Sequence, residues 1–316
     1  MEESFKNEIE KIVGRIEQIV ETHISIIYMG SDLVAKLTKP VNLGFVNFEP
    51  IEKRRESAKK SVEIDEAYCP SLNSKVVEID GEPFVIMRRF DSSAGLDTFY
   101  EQEKVTIEHA KQIGHLFAVA HKKARTNEEI SQIGYNSIAG NWEELFVVTR
   151  DVANAIGVTI SERNYNDLVT KIREFIAENE AFLKSRRDEG FIRQTHGDGH
   201  AGNMFVENGE VKIFDGIGFK DEFSFADVIA DVAFAIMDAL ARDSPDIAVE
   251  ITNAYIDESQ DFAGIEKLFY FYICYRASVR GEVTTLIANG MEGEEREKLL
   301  QTARKYFDLA IEYLPE

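Results

Sequence analysis

The stretch from His196 to Asp215 constrains this chain more than any other part of it. It reads His196-Gly197-Asp198-Gly199-His200-Ala201-Gly202-Asn203, then Met204-Phe205-Val206-Glu207, Asn208-Gly209, and Glu210-Val211-Lys212-Ile213-Phe214-Asp215. Asn-Gly between two short runs of β-branched and aromatic residues specifies a two-residue hairpin turn, because both turn positions require positive φ. Pairing outward from that turn sets Glu207 opposite Glu210, Met204 opposite Ile213 and Asn203 opposite Phe214. Asn203 and Asp215 are therefore expected at the open end of one hairpin, with Asp198 in the loop just before it. Two carboxylates and a carboxamide on one support suit Mg²⁺, which takes one or two protein carboxylates and completes its shell with water and phosphates. The competing reading is an Asp/Asn-rich loop that only caps turns, but turn chemistry alone does not call for these residues in this order.

A chain of 316 residues, 44% hydrophobic and 29% charged, can build one large domain or two lobes with a substantial core. Its apolar stretches are too short to span a bilayer. The acidic start Met1-Glu2-Glu3-Ser4 is unlike a signal peptide, and Cys69 and Cys274 form no disulfide framework or zinc pattern. The expectation is a cytoplasmic protein with two reduced thiols. A formal charge of −21 opposes non-specific attraction to nucleic acid and to anionic membranes. It favours either simple solubility or a cationic small-molecule ligand.

Periodicity gives a coarse map. Residues 4–20 read as an amphipathic helix with Phe5, Ile9, Ile12, Val13, Ile16, Ile19 and Val20 on one face. Strands are expected over 23–28, 33–37, 76–79 and 84–87, with a helix from Pro50 to about Tyr68. After Arg88-Arg89-Phe90 the pattern is helical to the end, apart from the hairpin. The join falls near 88–96, giving lobes of 1–90 and 91–316, and a cleft between lobes is a common ligand site. There is no Walker A loop, so a P-loop kinase is unsupported. Nor does a Gly-x-Gly-x-x-Gly loop precede the first strands, which leaves the turn around Glu21-Thr22-His23 to cover phosphates.

The order Asp198, Asn203, Asp215 resembles the catalytic loop and metal aspartate of protein kinases, and the His-Gly-Asp start resembles the aminoglycoside phosphotransferase and choline-kinase branch of that fold. Thr22-His23-Ile24-Ser25, Val34-Ala35-Lys36-Leu37-Thr38-Lys39-Pro40-Val41, Gly44-Phe45-Val46-Asn47-Phe48, Glu52-Lys53-Arg54-Arg55 and Met87-Arg88-Arg89-Phe90 resemble one subgroup of it. So do Phe219, Asp227 to Met237-Asp238, and Tyr275-Arg276-Ala277 to Arg280. That subgroup is often fused to a carboxy-terminal P-loop kinase domain, which is not found here. The resemblance implies an α+β bilobal kinase-like fold with a β-rich first lobe and a mostly helical second lobe. It implies an Mg²⁺-dependent phosphotransferase using ATP or GTP on a small hydroxylated acceptor, with a separate P-loop kinase as a possible partner. The alternative is a nucleotide-binding pseudokinase. The lack of an Ala-Pro-Glu segment after Asp215 argues against a protein kinase.

On that resemblance Asp198 is the catalytic base, Asn203 and Asp215 hold metal, and Lys36, with Lys39 as a second candidate, contacts nucleotide phosphates. Two departures stand out. Gly199 replaces a bulky residue, which predicts a more mobile loop or room for a larger acceptor. Ser61 stands where the subgroup has its helix glutamate, so Glu63 or Glu56, seven residues apart, is expected to pair with Lys36 instead. His196 is expected to brace the loop, and His200 either to brace it or to touch the acceptor. Asp227 and Asp231 share a helix face, and Asp231 is expected to hold backbone N–H groups of the loop. Arg276 and Arg280 lie four apart on an aromatic helix. They are read either as structural ion-pair partners, for instance of Asp238, or as a fork for an anionic acceptor.

Overall fold

The computed structural model describes residues 2–22, 24–42 and 47–316. It divides into two compact units, Met1–Glu103 with Ala201–Ser224, and Lys104–His200 with Phe225–Glu316.

The first unit starts with α1 (Glu2–Val13). Gly14, at φ +79°, ends this helix well short of residue 20, and the chain re-enters as an edge strand, β1 (Gln18–Glu21). The apolar spacing of 16–20 fits a helix, but the left-handed turn at Gly14 intervenes. Strands β2 (Ser25–Met29) and β3 (Leu33–Thr38), helix α2 (Ile51–Tyr68), strands β4 (Lys75–Ile79) and β5 (Glu82–Arg88), and the short α3 (Leu96–Glu101) follow. The sheet is antiparallel in the order β1-β2-β3-β5-β4. Its two faces are covered differently. Ala35 and Leu37 join Ile9 and Val13 of α1 in one core cluster. Val34, Val85 and Met87 join Ala58, Cys69, Leu72 and Phe205 in another. Side chains alternate along a strand, so Lys36 lies on the Val34 face of β3, the face covered by α2.

The second unit opens with α4 (Ile107–Lys123), α5 (Glu128–Val147), a π-helical turn over Val148–Val152, α6 (Glu162–Glu178), α7 (Glu180–Asp188) and β6 (Ile192–Gln194). The chain then returns to the first unit with β7 (Met204–Glu207), β8 (Glu210–Ile213) and the single-turn α8 (Asp221–Ser224). This segment groups with the first unit because Phe205 stacks on Phe90 at 4.1 Å and Arg88 makes a two-bonded fork with Glu207 at 2.7 and 2.9 Å. The second unit resumes with β9 (Phe225–Asp227), α9 (Val228–Ala241), α10 (Pro245–Ser259), α11 (Phe262–Asn289) and α12 (Gly293–Glu312). β6 and β9 pair antiparallel. At three residues each they are too short to carry a period-two signature, and the helical expectation missed them.

A buried ion cluster ties this unit together. Arg186 of α7 bonds both carboxylate oxygens of Asp227 (2.5 and 2.8 Å) and both of Asp261 (3.0 and 2.7 Å). Asp227 and Asp261 also accept from the first turns of α9 and α11, at Ile229 N and Gly264 N. One guanidinium thus fixes two helix starts.

Candidate active site

In the first unit the hairpin has the expected register, with Glu207 opposite Glu210 and Met204 opposite Ile213. Asn208 and Gly209 have φ of 53° and 79°, both in the left-handed region that such a turn needs. One step beyond the ladder, Phe214 N donates to Asn203 O at 3.0 Å, so the open end holds Asn203 beside the Phe214-Asp215 strand end.

Asp215 itself has φ +64°, unusual for a residue with a side chain. Two contacts hold it there. Its N–H donates to Asp65 Oδ1 at 3.2 Å, and its carboxylate forms an ion pair with the Lys36 ammonium. Asp65 is buried on α2, and its second oxygen accepts from Ser74 Oγ at 2.7 Å. The carboxylate partner of Lys36 is therefore Asp215. Of the two glutamates expected to pair with it, Glu56 bonds Lys60 at 3.0 Å and Glu63 is exposed on α2. The helix contribution comes from Asp65, one turn after Ser61 on the same face. That four-residue spacing was the available signal.

The reason for serine at 61 is visible as well. A Cβ on Gly218 would fall 2.5 Å from Ser61 N and 2.6 Å from Ser57 O. The backbone after Asp215 runs against this turn of α2 and leaves no room for a long side chain. Lys39 bonds Glu21 at 3.0 Å. Of the expected phosphate-covering turn, His23 lies outside the described residues, as do Gly44, Phe45 and Val46 of the resemblance.

Asn203 and Asp215 offer one carboxamide and one carboxylate from adjacent strand ends. No cluster of three His, Cys, Asp or Glu is placed to hold a metal among the described residues. Two hard oxygen donors with the remaining positions left to water and phosphate match Mg²⁺ rather than zinc.

The second unit carries Asp198. Asp231, fully buried on α9, accepts from His196 N at 3.0 Å and Gly197 N at 2.8 Å. His121 of α4 places Nε2 3.0 Å from Asp231 and Nδ1 3.1 Å from the Tyr255 hydroxyl. A carboxylate only accepts, so Nε2 donates to Asp231, while Nδ1 and the Tyr255 hydroxyl share the second hydrogen bond. Burial pushes the Asp231 carboxyl up, but the His121 hydrogen bond and the nearby positive groups outweigh it and hold the pKa down at about 2. His121 escaped the sequence reading, since a histidine on the inner face of an amphipathic helix has no local signature.

His196 is fully buried, and its Nδ1 lies 3.4 Å from Asp198 N. The half-buried Asp198 carboxylate faces His200 Nε2 at 3.6 Å. Burial raises its pKa, yet His200, His196 and Arg280 together hold it well below the usual carboxylate range. Gly199 has a packing explanation in place of the mobility expected. An added Cβ would meet the buried Phe117 ring at 2.6 Å, so Phe117 fills the space a side chain would need. Arg276 is buried, donates Nε to Ala230 O at 2.9 Å and lies 4.8 Å from the Phe234 ring centre. It makes no pair with Asp238, which instead faces Arg242 at 3.3 Å. The Ala230 carbonyl and the Phe234 ring, rather than the Asp238 carboxylate, hold Arg276. The His200 ring packs on Phe234 at 5.3 Å, and Arg280 lies over Tyr306 at 5.6 Å.

A five-stranded antiparallel sheet unit, a helical unit and an Asp-x4-Asn hairpin segment define a bilobal α+β kinase-like fold, shared with choline and ethanolamine kinases and aminoglycoside phosphotransferases. This bears out the fold read from the sequence. The chain is similar to an ethanolamine kinase of Plasmodium vivax, with a TM-score of 0.57 and 16% identity over 94% of this chain and 84% of that one. It is also similar to a choline kinase of Cryptosporidium parvum, with a TM-score of 0.58 and 13% identity over 97% and 90%. A streptomycin–ATP–APH(2")-IIa ternary complex matches with a TM-score of 0.53 and 13% identity over 97% and 98%. By sequence, the chain is 27% identical over 270 residues to uncharacterized proteins of Mycobacterium bovis and Mycobacterium tuberculosis, covering 83% of this chain. It spans about half the length of these relatives (53%). No protein-family model matches the chain.

Proposed function

We propose that the chain is an Mg²⁺-dependent phosphotransferase that moves the γ-phosphate of ATP or GTP to a hydroxyl of a small-molecule acceptor. The observation that carries this reading is Asp215, held at positive φ between Lys36 and Asp65. A strained acidic residue fixed beside a lysine, at the end of a rigid hairpin, points to function rather than turn-capping. In this reading Lys36 neutralises the α- and β-phosphates, and Asn203 and Asp215 hold the metal. Mg²⁺ bound there supplies charge neutralisation across the β- and γ-phosphates.

Asp198 orients the acceptor hydroxyl by accepting its hydrogen bond. Its depressed pKa makes it a weak base, so it takes the proton only as the hydroxyl oxygen loses its lone pair to phosphorus. That suits phosphoryl transfer, which asks the protein mainly for positioning and electrostatics. Asp231 and His121 keep the loop backbone in place while this happens. The ternary complex with streptomycin and ATP among the similar structures supports a nucleotide and a small molecule as ligands.

A second reading, a nucleotide-sensing pseudokinase, is favoured by Ser61 and by the engagement of Lys36 with Asp215. One substitution separates the two. Asp198→Asn keeps shape and removes charge. The phosphotransferase reading expects near-normal Mg²⁺–ATP affinity and melting temperature, with turnover or background ATP hydrolysis lower by roughly 10²–10⁴-fold. Unchanged turnover sinks the assignment of Asp198 and leaves the pseudokinase.

A further inference from the structure

The half-buried Arg280 lacks the carboxylate partners that the buried Arg54 and Arg186 have. Arg54 meets Glu82 through three hydrogen bonds, and Arg186 meets two aspartates. Arg280, on α11 and one turn beyond Arg276, stacks over Tyr306, and its Nε is buried with no hydrogen-bond partner. No carboxylate lies within ion-pair distance of it among the described residues. The chain has 57 acidic against 36 basic residues, so this is no shortage of carboxylates. A buried guanidinium N–H left unbonded is costly, and such an exception in a folded protein asks for an explanation.

The position is informative too. Asp198 faces His200, His200 packs on Phe234, and Phe234 carries the Arg276 guanidinium. This chain of contacts brings the arginine-bearing stretch of α11 up to the catalytic loop. The Arg280 charge is felt at Asp198, where it helps keep the carboxylate ionised. Glu282, two residues further on, does not offset it. Its carboxyl accepts from Thr149 Oγ1 at 2.9 Å, and burial pushes its pKa up to about 8, so near neutral pH it is largely uncharged.

We infer that the acceptor carries an oxyanion, a carboxylate or a phosphate, gripped by the planar fork of Arg280 while its hydroxyl meets Asp198. The inference rests on the phosphotransferase reading and names the substrate class of that site. A cationic acceptor would set its charge against Arg280, so this arginine selects against it as well as for an anion.

The test is an acceptor panel with the full chain, Mg²⁺ and ATP, read by ADP release. Matched skeletons are compared: sugar acids and hydroxy acids, sugar phosphates, the corresponding neutral polyols, and amino sugars. Turnover is expected with anionic members at a kcat/KM at least about tenfold above their neutral counterparts. Sugar acids and sugar phosphates in separate arms tell a carboxylate from a phosphate. Arg280→Gln is expected to raise KM for the anionic acceptor by roughly 10–100-fold with kcat little changed, and Arg280→Lys to recover part of the loss. Melting curves and Mg²⁺–ATP titrations are run on both variants. Arg280→Lys keeps the charge over Tyr306 and serves if the glutamine variant does not fold. Equal use of neutral or amino acceptors, no anionic acceptor used by a chain that binds Mg²⁺–ATP normally, or an unchanged KM in both variants would overturn the inference. Failure to bind Mg²⁺–ATP at all would instead overturn the phosphotransferase reading beneath it.

Discussion

At the scale of single residues, the hairpin register that sets Asn203 beside the Phe214-Asp215 strand end was legible from spacing. Asp198, Asn203 and Asp215 were placed by a loop and a hairpin whose turn residues admit one register. The partner of Asp215 was not legible. Expecting a glutamate for Lys36 pointed to Glu63 and Glu56, whereas Asp65 supports the backbone of Asp215 and Lys36 pairs with Asp215 directly. Only the four-residue spacing from Ser61 pointed to which carboxylate of the 18-residue helix turns inward. Asp65→Ala is expected to cost about 1–3 kcal/mol, because it strands the Asp215 amide, and to weaken Mg²⁺–ATP binding. Glu63→Gln is expected to leave both unchanged, and calorimetry with a thermal melt checks the pair. Asp215→Asn is expected to abolish the Mg²⁺ dependence of nucleotide binding; equal ATP affinity with and without Mg²⁺ in the parent protein would refute the metal assignment. Gly199→Ala tests the Phe117 contact. Overpacking there is expected to cost about 1–3 kcal/mol, and combining it with Phe117→Leu should recover part of that in a denaturant titration.

Elements were legible where one pattern ran uninterrupted. Helix α2 and strands β3 to β5 fall where periodicity put them, the strands because their alternating side chains feed two core clusters on opposite faces of the sheet. Helix α1 was read too long because its apolar face continues through Ile16, Ile19 and Val20 into a strand. The π-helical turn after α5 had no sequence signal at all. It brings Thr149 to the half-buried Glu282 of α11, with Glu144 of α5 adding like charge. The Glu282 pKa is raised in the fold from 4.5 to about 8, so the folded state holds the proton more tightly than the unfolded one. The stability this brings is complete below about pH 4.5 and is lost as pH rises through about 8. Glu282→Gln should therefore raise the melting temperature at pH 9 relative to the parent and change it little at pH 4.5. The opposite sign holds at Asp231, whose stabilising contribution is present above its ordinary value of 3.8 and lost as pH falls through about 2.

For the molecule as a whole, the two-unit kinase-like architecture followed from the order of strand-rich and helix-rich segments, but its wiring did not. A sequence read from left to right suggests a first lobe that is complete before the second begins. In the structure the first unit recruits Ala201–Ser224 from beyond a long stretch of the second. Contacts such as Phe90 on Phe205 and Arg88 on Glu207, remote in sequence, decide this, and no local pattern announces them. The consequence concerns the order of synthesis. When residue 103 leaves the ribosome, the part of the sheet face that Phe205 will cover, beside α2, is still bare. At ordinary elongation rates the missing hairpin arrives roughly 6–24 s later. A nascent or truncated chain ending near residue 103 should therefore be sticky and protease-sensitive, and a peptide spanning 201–224 added in trans should protect it.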